Sequence, residues 1–462
     1  MRSEKVKVFE ELLLETEMST YSLPSKRCVL VLACCWAILL PFAHFDIPAE
    51  CSIPKRGSLR VFLTVSSLVS TSPSGDITER QLELNWLGGT RNEGDRVMLF
   101  DRDPKQSLER SLVMIDPLLH VSGYYKTNVQ FPHLNFASHN LTTNCLGFWI
   151  AYLRQDKVLA SSCLRARPYW MKENKEWIKD IPLVNLMIPG THNAGSYQRY
   201  KGSESEKVFI RYLYNQEESV FNQLAYGIRF LDLRVGYYPG TTEKFWINHR
   251  LFSVNNTLAT VLQDVASFVW STEEIILLDI HNFPTGFTNR PDIHQRLIIK
   301  LLEYLGHFMI PRNVGHNATL GTLWNAQKRV LVSYNSDYYV SSQLLWPGVT
   351  HIWGNKQTVG SLKSFFENSF RQLETSYLSS AMAELTSTIA NFLIEPLKGH
   401  RGMAHDVNRQ VTIWFRDLWW WSCNIVSTDY FLGNNIIDVS IESNIKKALC
   451  RKEQKLKFQR RV

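Results

Sequence analysis

Gly227-Ile228-Arg229-Phe230-Leu231-Asp232-Leu233-Arg234 is the stretch whose reading decides the fold. Alternate residues of a strand share a face, so Ile228, Phe230, Asp232 and Arg234 line up together while Arg229, Leu231 and Leu233 point the other way. Asp232 and Arg234 therefore look into one mouth at the end of this strand. Two other apolar runs finish in the same way: 184–189 leads into Gly190-Thr191-His192-Asn193, and the run from Phe245 closes on Asn248-His249. Three strands that each deliver a polar group at one end predict a parallel barrel in which two imidazoles and a guanidinium converge.

Further along, the chain keeps the rhythm of strand, helix, strand. Candidate strands at 184–189, 228–235, 245–249, 275–281, 330–334, 351–354, 380–385 and 424–429, with helical patterns at 258–270 and 294–305, predict an α/β fold. The expectation is a (β/α)8 TIM-type barrel over 170–445, whose site lies at the carboxyl ends of the strands. His192 then lies just past strand one, Arg234 ends strand two, His249 ends strand three, Asp279 lies near the end of strand four and Asp429 ends strand eight. Closure sets strand eight beside strand one, so Asp429 is expected next to His192, 237 positions away in sequence. A carboxylate beside an imidazole fixes its tautomer and raises its basicity. Histidines near strand ends such as His281 and His351 are ordinarily hydrogen-bonded residues without a chemical role. The cluster Leu418-Trp419-Trp420-Trp421 reads as packing between the last helix and strand eight.

Before the barrel, short aromatic and β-branched runs at 59–63, 82–86, 96–100, 147–153 and 158–164 are separated by turn clusters such as Ser72-Pro73-Ser74-Gly75-Asp76. They predict an all-β, sandwich-like domain over 55–168, with Gln155-Asp156 at a hairpin tip. Nothing in it looks catalytic, and it reads as a packing or lipid-facing module.

The whole chain, 462 residues with 45% hydrophobic and 20% charged content, is long enough for two cores and has an ordinary globular composition. Of its net charge of +8, the tail 446–462 supplies +7, so the folded part is near neutral. A nucleic-acid partner is thereby excluded, and the basic tail reads as a solvated helix end or an anionic-lipid contact. Within 1–50, the uncharged run 28–45 follows Lys26-Arg27 and reads as a signal peptide or, given its length, a signal anchor. Both place the body outside the cytosol, secreted or lumenal, or anchored and facing the lumen or exterior. Sequons at Asn140, Asn255 and Asn317 agree with this. Cleavage before Cys51 leaves Cys51, Cys145, Cys163, Cys423 and Cys450, an odd set with one thiol free or paired between chains. Cys145 and Cys163, flanking the last hairpin, are the expected bridge.

Over 175–435 the chain resembles the X-domain of phosphatidylinositol-specific phospholipases C, and within it the X-domain-containing proteins of animals. The likeness rests on Ile188-Pro189-Gly190-Thr191-His192-Asn193, on Gly227 to Arg234 as quoted, on Asn248-His249, on Glu274-Ile275-Ile276-Leu277-Leu278-Asp279 and on Ile425-Val426-Ser427-Thr428-Asp429-Tyr430. It implies that His192 is the general base toward an inositol 2-hydroxyl and His249 the general acid toward the departing glycerol oxygen. Arg234 is then the phosphate ligand and Asp429 the partner of His192. The implied substrate is phosphatidylinositol or a glycosyl-phosphatidylinositol at a membrane surface, cleaved through a cyclic inositol phosphate.

The departures from the family pattern are equally specific. Arg234 stands where the calcium-dependent members carry a carboxylate, while Asn193, Asp232 and Asp279 stand where those members place oxygen ligands. Calcium takes six to eight oxygens, and a guanidinium among them repels it. The expectation is therefore catalysis with no metal or other cofactor, calcium being the alternative. Asn193, Asp232 and Asp279 are assigned to substrate, the two carboxylates orienting Arg234 and the inositol hydroxyls. Arg250 replaces the family's usual glycine and is read as an added phosphate contact or as crowding of the mouth. The competing expectation is a catalytically weak or inactive member that binds head groups or a protein.

Overall fold

The computed structural model describes residues 58–138, 141–373 and 376–459; the expected leader, Cys51 and the Asn140 sequon lie outside them. Two antiparallel layers come first. One holds β1 (Arg60–Val65), β4 (Gln81–Leu87) and β7 (Tyr124–Gln130) in the order β1-β4-β7. The other holds β5 (Asp95–Phe100), β6 (Val113–Ile115), β8 (Cys145–Arg154) and β9 (Lys157–Arg165) in the order β6-β5-β8-β9, and β2 (Ser70–Thr71) pairs with β3 (Ile77–Thr78) as a small ribbon. Inward residues of both layers, among them Val61, Leu63, Leu82, Leu84, Val97, Leu99, Ile150 and Tyr152, share one core. At the β8–β9 tip Gln155 and Asp156 both take positive φ (48° and 61°), the twist that tight hairpins favour. Cys145 and Cys163 form a disulfide across this hairpin. Cys450 is also disulfide-bonded, and Cys423 is buried and free.

Eight parallel strands follow among the described residues: β10 (Ile188–Thr191), β11 (Phe230–Tyr237), β14 (Ile276–Asn282), β15 (Val330–Tyr334), β16 (Leu345–Pro347), β17 (Thr350–Ile352), β18 (Ser379–Met382) and β19 (Ile425–Thr428). Their lateral order is β16-β15-β14-β11-β10-β19-β18-β17, and only Gly348 and Val349 separate β16 from β17, too few for a crossover, so these two outer strands follow one another end to end and bring the two edges of the curled sheet together. Helices Leu258–Thr272, Pro291–Leu305, Val359–Gln372 and Gly399–Asp417 cover it. Side-chain parity sorts the strand residues. Ile188, Phe230, Leu277, Leu331, Trp346 and Ile425 pack in one apolar cluster, whereas Leu231, Leu233, Leu278, Ile280 and Val332 belong to another that includes the helices. Two or four residues further along the first face come His192, Asp232, Arg234, Asp279, His281, Ser333 and Asp429. The same face is thus oily at its start and polar at its carboxyl end.

One predicted strand has a different place. Phe245–His249 is β12, which runs antiparallel to the far half of β11 and pairs on its other side with β13 (Phe252–Thr257). Only residues 238–244 connect β11 to β12, too few for the dozen or more that a parallel crossover needs, so the two can only form a hairpin. His249 therefore reaches the mouth from an extension above the barrel rather than from its wall, and β14, bearing Asp279, is the third barrel strand. Leu345–Pro347, a parallel strand beside β15 that the sequence reading did not assign, is three residues long and has no alternating pattern to betray it.

Two features position the site. Adding a Cβ at Gly190 would bring it to 2.9 Å from the Phe230 ring and 3.0 Å from Ser427 Oγ, so glycine lets β10 sit tightly between its neighbours. Between the β-layers and the barrel, Arg80 is buried and forms ion pairs with Glu217 and with Glu218 (2.8 Å), and Arg401 holds the other oxygen of Glu217 at 2.8 Å. Burial pushes the Glu217 carboxyl up, but Arg80 and Arg401 more than offset it and hold the group below its ordinary value. At the far end, helix Ile436–Gln459 runs through the start of the expected tail. Lys447 within it is buried, its Nζ donating to Asn185 O (2.9 Å) and Cys423 O (3.2 Å), and burial pushes its pKa down to about 7. Trp419 packs with Phe366, Phe370 and Phe415.

Candidate active site

Parallel pairing of β10 with β19 sets Thr191 against Thr428 and so brings the next residues, His192 and Asp429, side by side. His192 Nδ1 lies 2.8 Å from Asp429 Oδ1, and Arg234 Nη2 donates to His192 Nε2 at 2.9 Å. A guanidinium can only donate. Nε2 therefore carries the lone pair, and the ring proton sits on Nδ1, donated to the carboxylate. Burial pushes the His192 pKa down, but the charges of Asp429 and Glu384 more than offset it and hold the imidazole above its ordinary value.

The Asp429 carboxylate is itself held. Asn215 Nδ2 donates to Asp429 Oδ2 (3.1 Å), Asn193 Nδ2 donates to Asn215 Oδ1 (3.1 Å), and the Asn193 backbone N–H donates to Asp232 Oδ2 (3.0 Å). Asn193 adopts φ 45°, a left-handed conformation that asparagine tolerates well and that turns the chain sharply off β10. Gln216 Nε2 bridges His192 O (3.0 Å) and Thr428 O (2.8 Å), tying the first and last strands at the rim.

Arg234 lies 3.9 Å from Asp232, which is fully buried; burial pushes the Asp232 carboxyl up, but Arg234 and the imidazoles of His351, His192 and His281 hold it below its ordinary value. Asp279 pairs in register with Asp232 on the next strand but is engaged elsewhere. Its Oδ1 accepts from Ser333 Oγ (2.6 Å), and its Oδ2 lies 3.1 Å from His281 Nδ1 and 3.0 Å from His351 Nε2. The expected joint orientation of Arg234 by both carboxylates thus falls to Asp232, while Asp279 organises two histidines.

His249 enters from the β12 hairpin and meets His400 ring to edge, with centroids 5.1 Å apart. Burial, then the charges of His400, Arg234, Arg250 and His192, push the His249 pKa well below its ordinary value. Burial likewise lowers His400 to about 4. Arg250 takes φ 52°, the left-handed region where glycine is at ease, and its guanidinium donates to Ser387 O (3.0 Å) and lies 3.4 Å from Ser387 Oγ. It thereby ties the β12 hairpin to the loop after β18, with its charge felt by His249 and His400.

Sequence reasoning missed Glu384, His400 and Asn215. Glu384 lies two residues past β18 on the face of Ser380 and Met382, and burial raises its pKa to about 7, the charge of His192 pulling it down and that of Asp429 pushing it further up. Its only sequence signal is strand parity, and that needs the strand's end to be known. His400 sits in a helix and Asn215 in a loop, where no periodicity points. Around the mouth, Asn193 Oδ1, Asp232 Oδ1, Arg234 Nε and Glu384 Oε2 are buried polar atoms with no hydrogen-bond partner, a concentration characteristic of a site built to receive a polar ligand.

No protein-family model matches the chain. Among curated proteins, it is 28% identical to human "PI-PLC X domain-containing protein 2" over 254 residues, covering 50% of this chain and 82% of that protein. To human "PI-PLC X domain-containing protein 1" it is 24% identical over 320 residues, covering 62% and 95%. Among solved structures, a point mutant of the phosphatidylinositol-specific phospholipase C from Staphylococcus aureus aligns with TM-score 0.46 and 14% identity, covering 60% of this chain and 97% of that one. The enzyme of Listeria monocytogenes aligns with TM-score 0.42 and 19% identity, covering 61% and 98%.

Proposed function

This chain belongs with the PI-PLC X domain-containing proteins, and on that premise we propose that it is a phosphoric diester hydrolase of the phospholipase C type. The observation that carries the proposal is the Asp429–His192–Arg234 chain: an imidazole with its proton fixed on Nδ1 and a free-electron-pair nitrogen already touching a phosphate-binding cation. In the reaction, the phosphate of an inositol phospholipid or glycosyl-phosphatidylinositol draws Arg234 toward its own oxygens and releases His192 Nε2. His192 takes the proton of the inositol 2-hydroxyl, whose oxygen bonds to phosphorus. The phosphorus–glycerol oxygen bond breaks and His249 supplies the proton to the leaving oxygen, giving a diacylglycerol and a cyclic inositol phosphate that water opens with the roles reversed. The incoming anion also counters the cationic surroundings of His249 and raises its pKa toward the acid role.

Calcium does not fit this donor set. Asp279 is occupied by Ser333, His281 and His351, and Arg234 stands 3.9 Å from Asp232. We propose cleavage without calcium, with Arg234 stabilising the charge that develops on phosphorus. We also propose a secreted or lumenal setting, supported by the Cys145–Cys163 disulfide and by exposed Asn255 and Asn317. The membrane surface is the proposed working place, supported by the exposed apolar Leu393, Ile394 and Leu397 in the segment after β18, which follows Ser387, the partner of Arg250, in sequence.

A second reading, head-group binding without turnover, is favoured by the depressed His249, which is neutral when the site holds no anion. Purified protein on phosphatidylinositol vesicles separates the two. Head-group release that persists in excess calcium chelator and vanishes in His192→Ala supports the hydrolase. Release restored only by calcium, equal release by both proteins, or none by either rejects it.

A further inference from the structure

Asp279, His281 and His351 form a cluster that the phosphodiester chemistry does not use. His281 presents Nδ1 and His351 presents Nε2 to the same atom, Asp279 Oδ2, at 3.1 and 3.0 Å, and the three candidate ligand atoms all lie within 4.8 Å of one another. The two imidazoles are stacked, 3.4 Å between centroids and 3° between planes, so both nitrogens sit close together and an ion between them requires the rings to tilt out of parallel to bring each in-plane lone pair onto it. The carboxylate's other oxygen is fixed by Ser333 Oγ at 2.6 Å, the kind of outer partner that orients a metal-binding carboxylate. On the neighbouring strand Asp232 adds a second buried carboxylate, in register with Asp279, with an oxygen that has no hydrogen-bond partner.

We propose that Asp279, His281 and His351 bind one divalent d-block cation of the zinc class. Metal–ligand bonds of about 2.0 to 2.2 Å at such an ion place neighbouring ligand atoms about 3 to 3.5 Å apart, the spacing already present between Asp279 Oδ2 and each imidazole nitrogen. Two nitrogens and one oxygen select an ion of intermediate softness and discriminate against calcium, which wants oxygen alone. Three protein ligands leave a coordination position open, and the partial exposure of His281 (22% of its side chain) opens the cluster to solvent. The site stands whether or not the chain turns over inositol lipids, since none of its ligands is the proposed base or acid.

The test is equilibrium dialysis of the metal-stripped full chain against zinc chloride, with cobalt(II) absorption as a second readout. The expected result is one equivalent of zinc per chain, lost at least tenfold in affinity in His281→Ala and in His351→Ala and retained in His120→Ala, with calcium in large excess failing to displace it. Cobalt(II) should give a visible ligand-field spectrum that disappears in both ligand variants. Thermal unfolding of each variant without metal verifies folding, and His351→Gln replaces any alanine variant that unfolds. No saturable zinc binding, binding undiminished in folded His281 or His351 variants, or displacement by calcium would mean a hydrogen-bonded triad only and would overturn the proposal.

Discussion

Between Asp429 and His249 the mouth holds two histidines pushed in opposite directions, His192 up and His249 well down. The proposed base must be neutral and the proposed acid protonated, so only a minor protonation state of the free protein is productive. In a kcat/KM profile the acid limb then belongs to His249, below its ordinary pKa of about 6.5, and the basic limb to His192, above that value. Asp429→Asn removes a charge that raises His192, so the basic limb is expected to move to lower pH while turnover falls about 100- to 10,000-fold. A profile of Asp429→Asn with an unmoved basic limb would assign that limb to another group. At this scale the sequence was most legible where a motif fixes both residue and strand end, as for His192, Arg234 and Asp429. It was silent on Glu384 and His400, which become neighbours of the site only through burial and tertiary packing.

The elements show why partial reading succeeds. β14 and β15 begin as continuous apolar runs, as strands buried on both faces do, and their polar ends are visible as interruptions. β12 is equally apolar, but its partner is set by the length of the preceding connection rather than by its own composition. Pro189 within β10 lacks an N–H, yet the β10–β11 ladder begins only at Gly190↔Phe230, so no bond is forfeited there. The segment after β18, which includes the short helix Ile389–Ile394, carries Leu393, Ile394 and Leu397 at 70%, 79% and 70% exposure. Replacing all three by serine is expected to weaken binding to phosphatidylinositol vesicles about tenfold or more, read by vesicle sedimentation, because each side chain would contribute apolar area to the proposed lipid contact. Equal sedimentation of variant and parent would remove this edge from the membrane-facing surface.

Across the whole molecule, the β-layers and the barrel share one continuous apolar core and one ion-pair clamp. Arg80→Met leaves Glu217 without one of its cations and Glu218 without its arginine, both buried, and is expected to cost about 3 to 5 kcal/mol of folding free energy, measured by urea unfolding. A loss under about 1 kcal/mol would mean that the clamp is an incidental contact. The sequence announced an all-β stretch and a barrel but not their joining, because Arg80 and Glu217 are 137 positions apart and neither stands out in its own segment.

Glu217 and Glu218 directly follow Asn215 and Gln216, which hold Asp429 and bridge the strands of His192. A cation contributed by the leading layers therefore steadies the loop that aims His192, the proposed base. Exchange of parts between relatives is limited accordingly: a chimera that keeps this barrel and takes the β-layers of another protein must bring a buried arginine to the place of Arg80. A donor without one would pass on a folding defect and a misaimed imidazole together.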